Sequence, residues 1–323
     1  MSWSLLLLCA AATGVIAFSS SALLALSMGL FRRRLADLAS AAQARILLGV
    51  AVLPMLACIA LMAAALAPTF GSIVDHCTEV ASLHSHPHLC IGHHVDSLPA
   101  VTLLIVAGLL MARVLATGLS LVTRVIRAHT VHQALLTASE EAGERVRVLP
   151  IDEPQAFIIG AVRPTMFLTR GLLSGEYRQH LAPVLSHERA HVRRRDPLRR
   201  FVASMGLAFH LPGFAGWLER RLATANEMAA DAEAATEIQS PERVAHALVQ
   251  LTRAHKQVSQ LAMAFGASDV ELRVTTLLDS RPRLDRPGLY ALLILMVLFF
   301  AAVAASTEPI HHGIEIVLGL LSI

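Results

Sequence analysis

The sequence predicts a multi-pass α-helical membrane protein with about four transmembrane helices and a polar α+β domain between the third and fourth. Three observations predict it. Hydrophobic residues make up 55% of the 323 positions, more than a water-soluble domain of this size carries. The surplus is gathered in blocks at 5–30, 46–66, 98–121 and 289–305, each nearly free of charge and near the roughly 17–25 residues that a spanning helix needs. Between the third and fourth blocks the chain turns polar and carries both helical and strand-like patterns.

The first block reads as an uncleaved anchor rather than a signal peptide, because no Lys or Arg precedes it and Arg32, Arg33 and Arg34 follow it. Basic residues set the orientation. Arg32, Arg33, Arg34 and Arg45 lie between the first two blocks, and Arg124 and Arg127 follow the third, whereas 67–97 holds only acidic charges. The positive-inside rule then places the N-terminus and the 67–97 loop outside and the polar domain in the cytoplasm of a bacterial inner or plasma membrane. Cysteine usage agrees: Cys77 and Cys90 sit in the outside loop, where a disulfide can persist, and the polar domain has none. A net charge of +3 makes no case for direct nucleic acid binding.

The chain divides into a three-helix module at 1–127, a polar domain at 128–286, and a fourth helix with a short outside tail at 287–323. The polar domain opens on a helical stretch, 131–144. Strand-like runs follow at 146–149, 156–162 and 165–169, the last two joined by a turn at Arg163-Pro164. A helix carrying His187 and His191 is expected, with Pro183 in its first turn and Asp196-Pro197 as the break, and then helices at 198–210, 215–236, 241–265 and 269–278.

The helix after Pro183 carries His187-Glu188-Arg189-Ala190-His191. Histidines four residues apart share one helix face, so their imidazoles converge on one Zn²⁺, while Glu188 stands beside them as a general base. A catalytic zinc needs a third protein ligand. Glu227 is the choice, on a second helical segment, with Asp231 one turn further on to accept a hydrogen bond from a ligand histidine. His210, Asp196 and His180 are weaker candidates: the first lies beside Pro212, the second is too near His191 in sequence to swing round, and the third precedes the helix. Tyr177, His210 and Arg221 are candidates for holding the oxyanion. The run through Phe157 to Gly160 reads as a strand bordering a cleft, to which an extended peptide can add, or as an ordinary core strand. Arg193, Arg194 and Arg195 read as a basic patch facing solvent, membrane or substrate carboxylates.

These residues carry a resemblance. The stretch from Leu185 to Leu198 resembles the zinc motif of the BlaR/MecR-type membrane metallopeptidases. Gln155 to Leu172 is similar to the strand and turn preceding it there, and His210 to Trp217, Arg221, Glu227 and Asp231 are similar to the later block that supplies the third ligand. The resemblance implies a gluzincin-like zinc endopeptidase domain facing the cytoplasm. Switched on by an outside signal, it cuts itself and a cytoplasmic repressor. The penicillin-binding sensor domain of the best-known members is not expected, since about 18 residues follow Ala305. A second reading is a quality-control or processing peptidase resembling the HtpX or CAAX type. A third is a non-catalytic metal-binding membrane sensor, against which the intact Glu188 argues. A homo-oligomer is compatible with all three.

The outside loop adds His76, His84, His86, His88, His93 and His94 to its two cysteines. It reads as a sensor for a borderline metal or for protons, or as a polar loop closed by a Cys77–Cys90 disulfide. Arg113, inside the third block, marks a polar relay or snorkels to the inner surface.

Overall fold

The computed structural model describes residues 3–71, 101–258 and 263–279. Helix α1 (Trp3–Leu30) leads through the short α2 (Arg32–Ala36) into α3 (Ser40–Gly71), and α4 runs from Val101 to Ala138. Within these, Cys9–Leu30, Ser40–Ala64 and Leu104–Ala138 are long and apolar enough to cross a membrane. The expected fourth span at 289–305 and the His/Cys loop lie outside the described residues. Helix α4 passes through the expected boundary at 127–128 without a break. Its 35-residue apolar segment, at 1.5 Å per residue, exceeds a bilayer core of about 30 Å, so its C-terminal part projects beyond the hydrocarbon.

After α4 come β1 (Glu140–Gly143), β2 (Val146–Leu149), β3 (Ala156–Ile159) and β4 (Thr165–Thr169). They form one mixed sheet in the order β1-β2-β4-β3, with β2 and β4 parallel and the outer pairs antiparallel. The stretch 131–144 was expected to be helical throughout. Instead the helix stops at Ala138, and Glu140–Gly143 pairs with β2. Arg147 holds this corner: its guanidinium donates to the carbonyls of Leu136 and Ser139 and to the Ser139 hydroxyl, satisfying the open end of α4. Strand β3 ends at Ile159 rather than 162, because Gly160 turns the chain at φ +113°, where a Cβ would come within 2.7 Å of the Arg163 carbonyl oxygen.

The helical part follows: α5 (Arg170–Leu173), a 3-10 turn (Gly175–His180), α6 (Leu181–Arg194), α7 (Asp196–Leu207), α8 (Pro212–Ile238), α9 (Pro241–Val258) and α10 (Met263–Leu278). Arg195 separates α6 from α7 in a left-handed conformation, φ 55° and ψ 39°, its N–H returning to the His191 and Val192 carbonyls. Pro197 then starts α7. Helices α6 and α8 approach closely because their facing residues are small: Ala190, Ala230 and Ala234 are fully buried.

The hairpin between α7 and α8 does not rest on the surface of the spans but inserts among them. Ala203, Leu207, Ala215, Leu218 and Leu222 share one core with Met28 of α1 and with Ala44, Leu47, Val50 and Ala51 of α3. The tip residue His210 contacts Val50 and Ala51, within the span Ser40–Ala64. Backbone exposed among spans needs protein partners, and it has them. Arg113 of α4 donates to the carbonyls of Leu207 (3.1 Å) and Ala208 (3.2 Å) at the C-terminal end of α7. His210 donates from Nε2 to the Val50 and Ala51 carbonyls, which leaves Nδ1 to accept from the Ser21 hydroxyl at 3.2 Å. The Ser21 oxygen accepts the Leu211 N–H at 2.9 Å. Gly206 seats α7 against α3, since a Cβ there would run into the Ala51 carbonyl.

Candidate metal centre

Helix α6 sets His187 and His191 one turn apart with their ring centroids at 4.7 Å and their planes nearly perpendicular. Their Nε2 atoms face each other at 3.1 Å. Glu227 of α8 closes the triangle, with carboxylate oxygens 3.6 Å from His187 Nε2 and 3.7 Å from His191 Nε2. The three residues offer donor atoms that all lie within 4.8 Å of one another, and among the described residues they are the cluster able to hold a metal ion.

Behind the triangle each imidazole is oriented by a carboxylate. His187 Nδ1 lies 2.9 Å from Asp231 Oδ1, and His191 Nδ1 lies 2.8 Å from Asp196 Oδ2. A proton on each Nδ1, donated to its carboxylate, directs the Nε2 lone pairs into the triangle. Asp231 also receives a two-pronged bond from Arg273 of α10, 2.8 Å on each side, and Arg273 Nη1 reaches Glu227 at 3.4 Å. Asp196 is held by Arg194 at 3.2 Å and Arg199 at 3.6 Å, and Arg194 also donates to the Asn226 side-chain oxygen.

The charges follow from this geometry. Burial disfavours an imidazolium at His187, but hydrogen bonds and charge from Asp231 and Glu227 outweigh it and lift its pKa to about 10. Burial likewise disfavours the ionised carboxylates. The hydrogen bond to His187, then the charges of Arg273 and the imidazoles, pull Glu227 down to about 2, and hydrogen bonds from Arg273 and His187 do the same for Asp231. The site therefore favours one positive charge between two imidazoles and a carboxylate. Two nitrogens and one oxygen in that arrangement fit a tetrahedral borderline cation with its fourth position open. Glu188, the residue after His187, lines the same cavity as the triangle. Burial raises its pKa, and the neighbouring imidazoles offset part of the rise.

Two cavities meet at Glu188. One, of about 330 Å³, lies between α6 and α9 and is lined by Val184, Leu248, Leu251 and Arg273. The other, of about 580 Å³, contains the triangle and runs along β3 past Ala156, Phe157 and Ile158. Strand β3 is an edge strand, paired with β4 on one side, and Phe157 stacks on Phe167 beneath it.

His187, Glu188, His191, Glu227, Asp231 and Phe157 thus come together, and Gly160 lies at the far end of the strand. Arg221 does not join them: it is exposed and its guanidinium lies over Trp217. His210 is buried among the spans, away from the triangle. Asp196 is no ligand, but it has a role that its sequence position concealed, since the left-handed Arg195 folds it back beneath His191. Arg273 was not singled out from sequence. It lies 42 residues beyond Asp231, on a helix with no motif of its own.

A family model described as peptidase family M48 matches residues 122–287, just over half of the chain. Neither the curated proteins nor the solved structures contain a match. The matched stretch starts inside α4, takes in the sheet, the paired-histidine helix, the hairpin packed among the spans and the Glu227 helix, and ends beyond α10. With two imidazoles and a carboxylate converging inside that stretch, the chain belongs to peptidase family M48 and is a metallopeptidase of membrane type.

Proposed function

We propose that the chain is a zinc-dependent endopeptidase embedded in the membrane, with His187, His191 and Glu227 as the metal ligands and Glu188 as the catalytic base. The observation that carries this reading is the convergence of His187 Nε2, His191 Nε2 and the Glu227 carboxylate, with both Nδ1 atoms tied to carboxylates. When bound, the cation supplies Lewis acidity to water and to the scissile carbonyl. Glu188 takes the proton of the attacking water on its carboxylate and delivers it to the leaving amine, a task suited to a carboxyl whose pKa burial has raised. Asp231 and Asp196 keep the two imidazoles in one tautomer and one orientation. The substrate lies extended along the free edge of β3, main chain to main chain.

Replacing Glu188 by Gln tests this. Metal content is expected to stay at one zinc per chain in both forms, while cleavage of an unfolded protein and of the chain itself falls about 10²- to 10⁴-fold in Glu188→Gln. Zinc in both forms with equal cleavage would remove Glu188 from the mechanism, and a chain that binds no zinc would remove the site.

Two roles suit this chemistry. The first is the regulatory one of the BlaR/MecR type: a cytoplasmic peptidase activated by a signal from outside, cutting itself and a repressor-like protein. It is supported by the three helices before the domain and by the polar bonds tying them to the hairpin that carries the site. The second, processing or quality control of the HtpX or CAAX type, is supported by the family model that matches, which is M48. Mapping the new N-termini formed in cells with wild type but absent with Glu188→Gln separates them. A single repressor-like target speaks for the first role, and a spread of membrane or lipid-modified proteins for the second.

A further inference from the structure

Most arginines around the metal centre are spoken for. Arg189, Arg193, Arg194, Arg199 and Arg273 each meet a carboxylate. Arg124 of α4 and Arg200 of α7 do not. Both are exposed, and neither guanidinium makes a hydrogen bond or ion pair among the described residues. Yet both line the cavity that holds His187, Glu188, His191 and Glu227.

Their place in that cavity is specific. Beyond the triangle the cleft continues into a second chamber of about 440 Å³ between α4, α7 and α8. The two chambers share Arg124, Ala128, Pro197, Arg200 and Ala223 as lining residues. The neck between them is therefore built from two guanidiniums on two different helices and three small or apolar side chains. Past the neck the walls are mainly apolar, with Leu121, Val125, Phe201 and Leu222, and Glu219 is the one carboxylate there, in no ion pair with either arginine. The first chamber follows β3 through Ile158, and the second picks up Ile159, Gly160 and Ala161. A peptide laid on the edge of β3 with its scissile bond at Glu188 thus passes the neck about two to four residues away, at about 3.3 Å per residue.

We propose that Arg124 and Arg200 form a subsite that selects an acidic side chain in the substrate, about two to four positions from the bond that is cut. The inference rests on the peptidase reading above. Two forks of fixed, permanently charged donors match a carboxylate, and the apolar flanks of the neck reduce competition from water. Neutral and basic side chains at that position leave the guanidiniums unmatched or repelled. Arg124, 20 residues or about 30 Å after Leu104, stands at the bilayer edge, so the selected residue is one that substrate presents close to the membrane surface.

The test uses the full-length, zinc-loaded protein in zwitterionic detergent and a peptide mixture randomised over four positions on each side of a fixed centre, read by mass spectrometry. Wild type is expected to cut peptides with Asp or Glu at one position on one side about 10- to 100-fold faster than those with Ala there, as expected for charge-assisted pairing. The ratio should shrink as salt rises. In Arg124→Glu/Arg200→Glu the ranking should invert, with Lys and Arg preferred at the same position. Because each ranking is a ratio within one enzyme, partial loss of folded protein does not mimic the inversion, and the salt dependence in wild type tests the proposal even if the double variant does not fold. Cleavage without any acidic preference overturns the proposal and leaves the peptidase reading intact. So does a wild type indifferent to acidic residues whose double variant instead loses binding to phosphatidylglycerol vesicles, which would make the neck a lipid-headgroup site. A zinc-loaded wild type that cuts no peptide at all overturns both.

Discussion

At the scale of single residues, the centre is a balance of charges in which every member has two tasks. Asp231 orients His187 and neutralises Arg273, so its removal strips a ligand of its support and takes from a buried guanidinium its two-pronged partner, leaving it Glu227 at 3.4 Å. Asp231→Ala is therefore expected to cost about 3–5 kcal/mol in stability, the range for breaking a buried pair. Asp196→Asn keeps shape and packing and removes the charge that serves His191, Arg194 and Arg199. Its expected effect is a metal affinity lower by about 10- to 100-fold with an unchanged far-ultraviolet spectrum. Competition titration against a chelator measures this, and an unaltered affinity would take Asp196 out of the site. The high pKa of His187, about 10 in the metal-free protein, has a consequence of fixed sign. Below that pH a proton occupies the imidazole and must leave when the cation enters. Zinc binding should release about one proton from His187, and affinity should rise about tenfold per pH unit from roughly pH 7 to 9. Calorimetry in buffers of different ionisation enthalpy reports the proton count, and a count near zero contradicts the assignment of His187 as ligand.

At the scale of elements, the inserted α7–α8 hairpin links bilayer and metal centre. Its first helix begins at Asp196, which supports His191, and its second carries Glu227 and Asp231, while its tip is bonded to all three described spans through Ser21, the Val50 and Ala51 carbonyls, and Arg113. Gly206→Leu places a side chain against the α3 backbone and is expected to prevent the hairpin from seating, with loss of zinc and of cleavage together. Arg113→Leu takes the side-chain donor from the Ala208 carbonyl and from the Leu207 carbonyl, the second of which keeps the His210 N–H. The expected loss is about 1–3 kcal/mol, seen as a lower melting temperature in detergent, and an unchanged melting temperature would show that the bonds carry no weight. How much of this was legible in sequence depended on whether the signal was local. Strands 146–149 and 165–169 were, because β-branched and apolar runs bounded by turn residues mark themselves. The His187–His191 pair was, because the four-residue spacing is a property of one helix, and Glu227 was through its own helical segment with Asp231 one turn further on. Strand β1 was not: its Glu-Glu-Ala-Gly sequence favours a helix locally and is extended only because β2 pairs with it. Arg273 and the Ser21–His210 and Arg113–Leu207 contacts were not, since they join residues 42 to 189 positions apart with no pattern in between. His210 in particular looked like a site residue when it is a structural one.

At the scale of the whole molecule, the metallopeptidase domain and the membrane helices do not have separate cores. Leu218 and Ala225 of α8 are buried against Leu47 and Ala51 of α3, and Leu207 of α7 lies in the same cluster. Residues 122–287, the part that the family model matches, therefore lack one wall of their own interior. A domain of about 165 residues would ordinarily be large enough to fold by itself. Here its release from α1 and α3 exposes a continuous apolar face on α7 and α8 and frees the hairpin tip, whose polar partners all belong to the spans. The α7–α8 hairpin also supplies Asp196, Glu227 and Asp231, so loosening it disperses the cluster. Expressed alone, 122–287 is expected to aggregate or to populate a loosely packed state without a cooperative thermal transition, and to bind zinc at least about 100-fold more weakly than the full chain, a loss of about 2.7 kcal/mol in the linkage between metal and fold. In the full chain the same linkage runs the other way: saturating zinc should raise the melting temperature reported by Trp217, which packs against the α3–α8 core, as well as that of the metal site. Differential scanning of the excised and full-length proteins, with and without zinc, reads both. A soluble, monomeric 122–287 that melts cooperatively and binds one zinc with the affinity of the whole protein would show that the spans anchor the peptidase without building it.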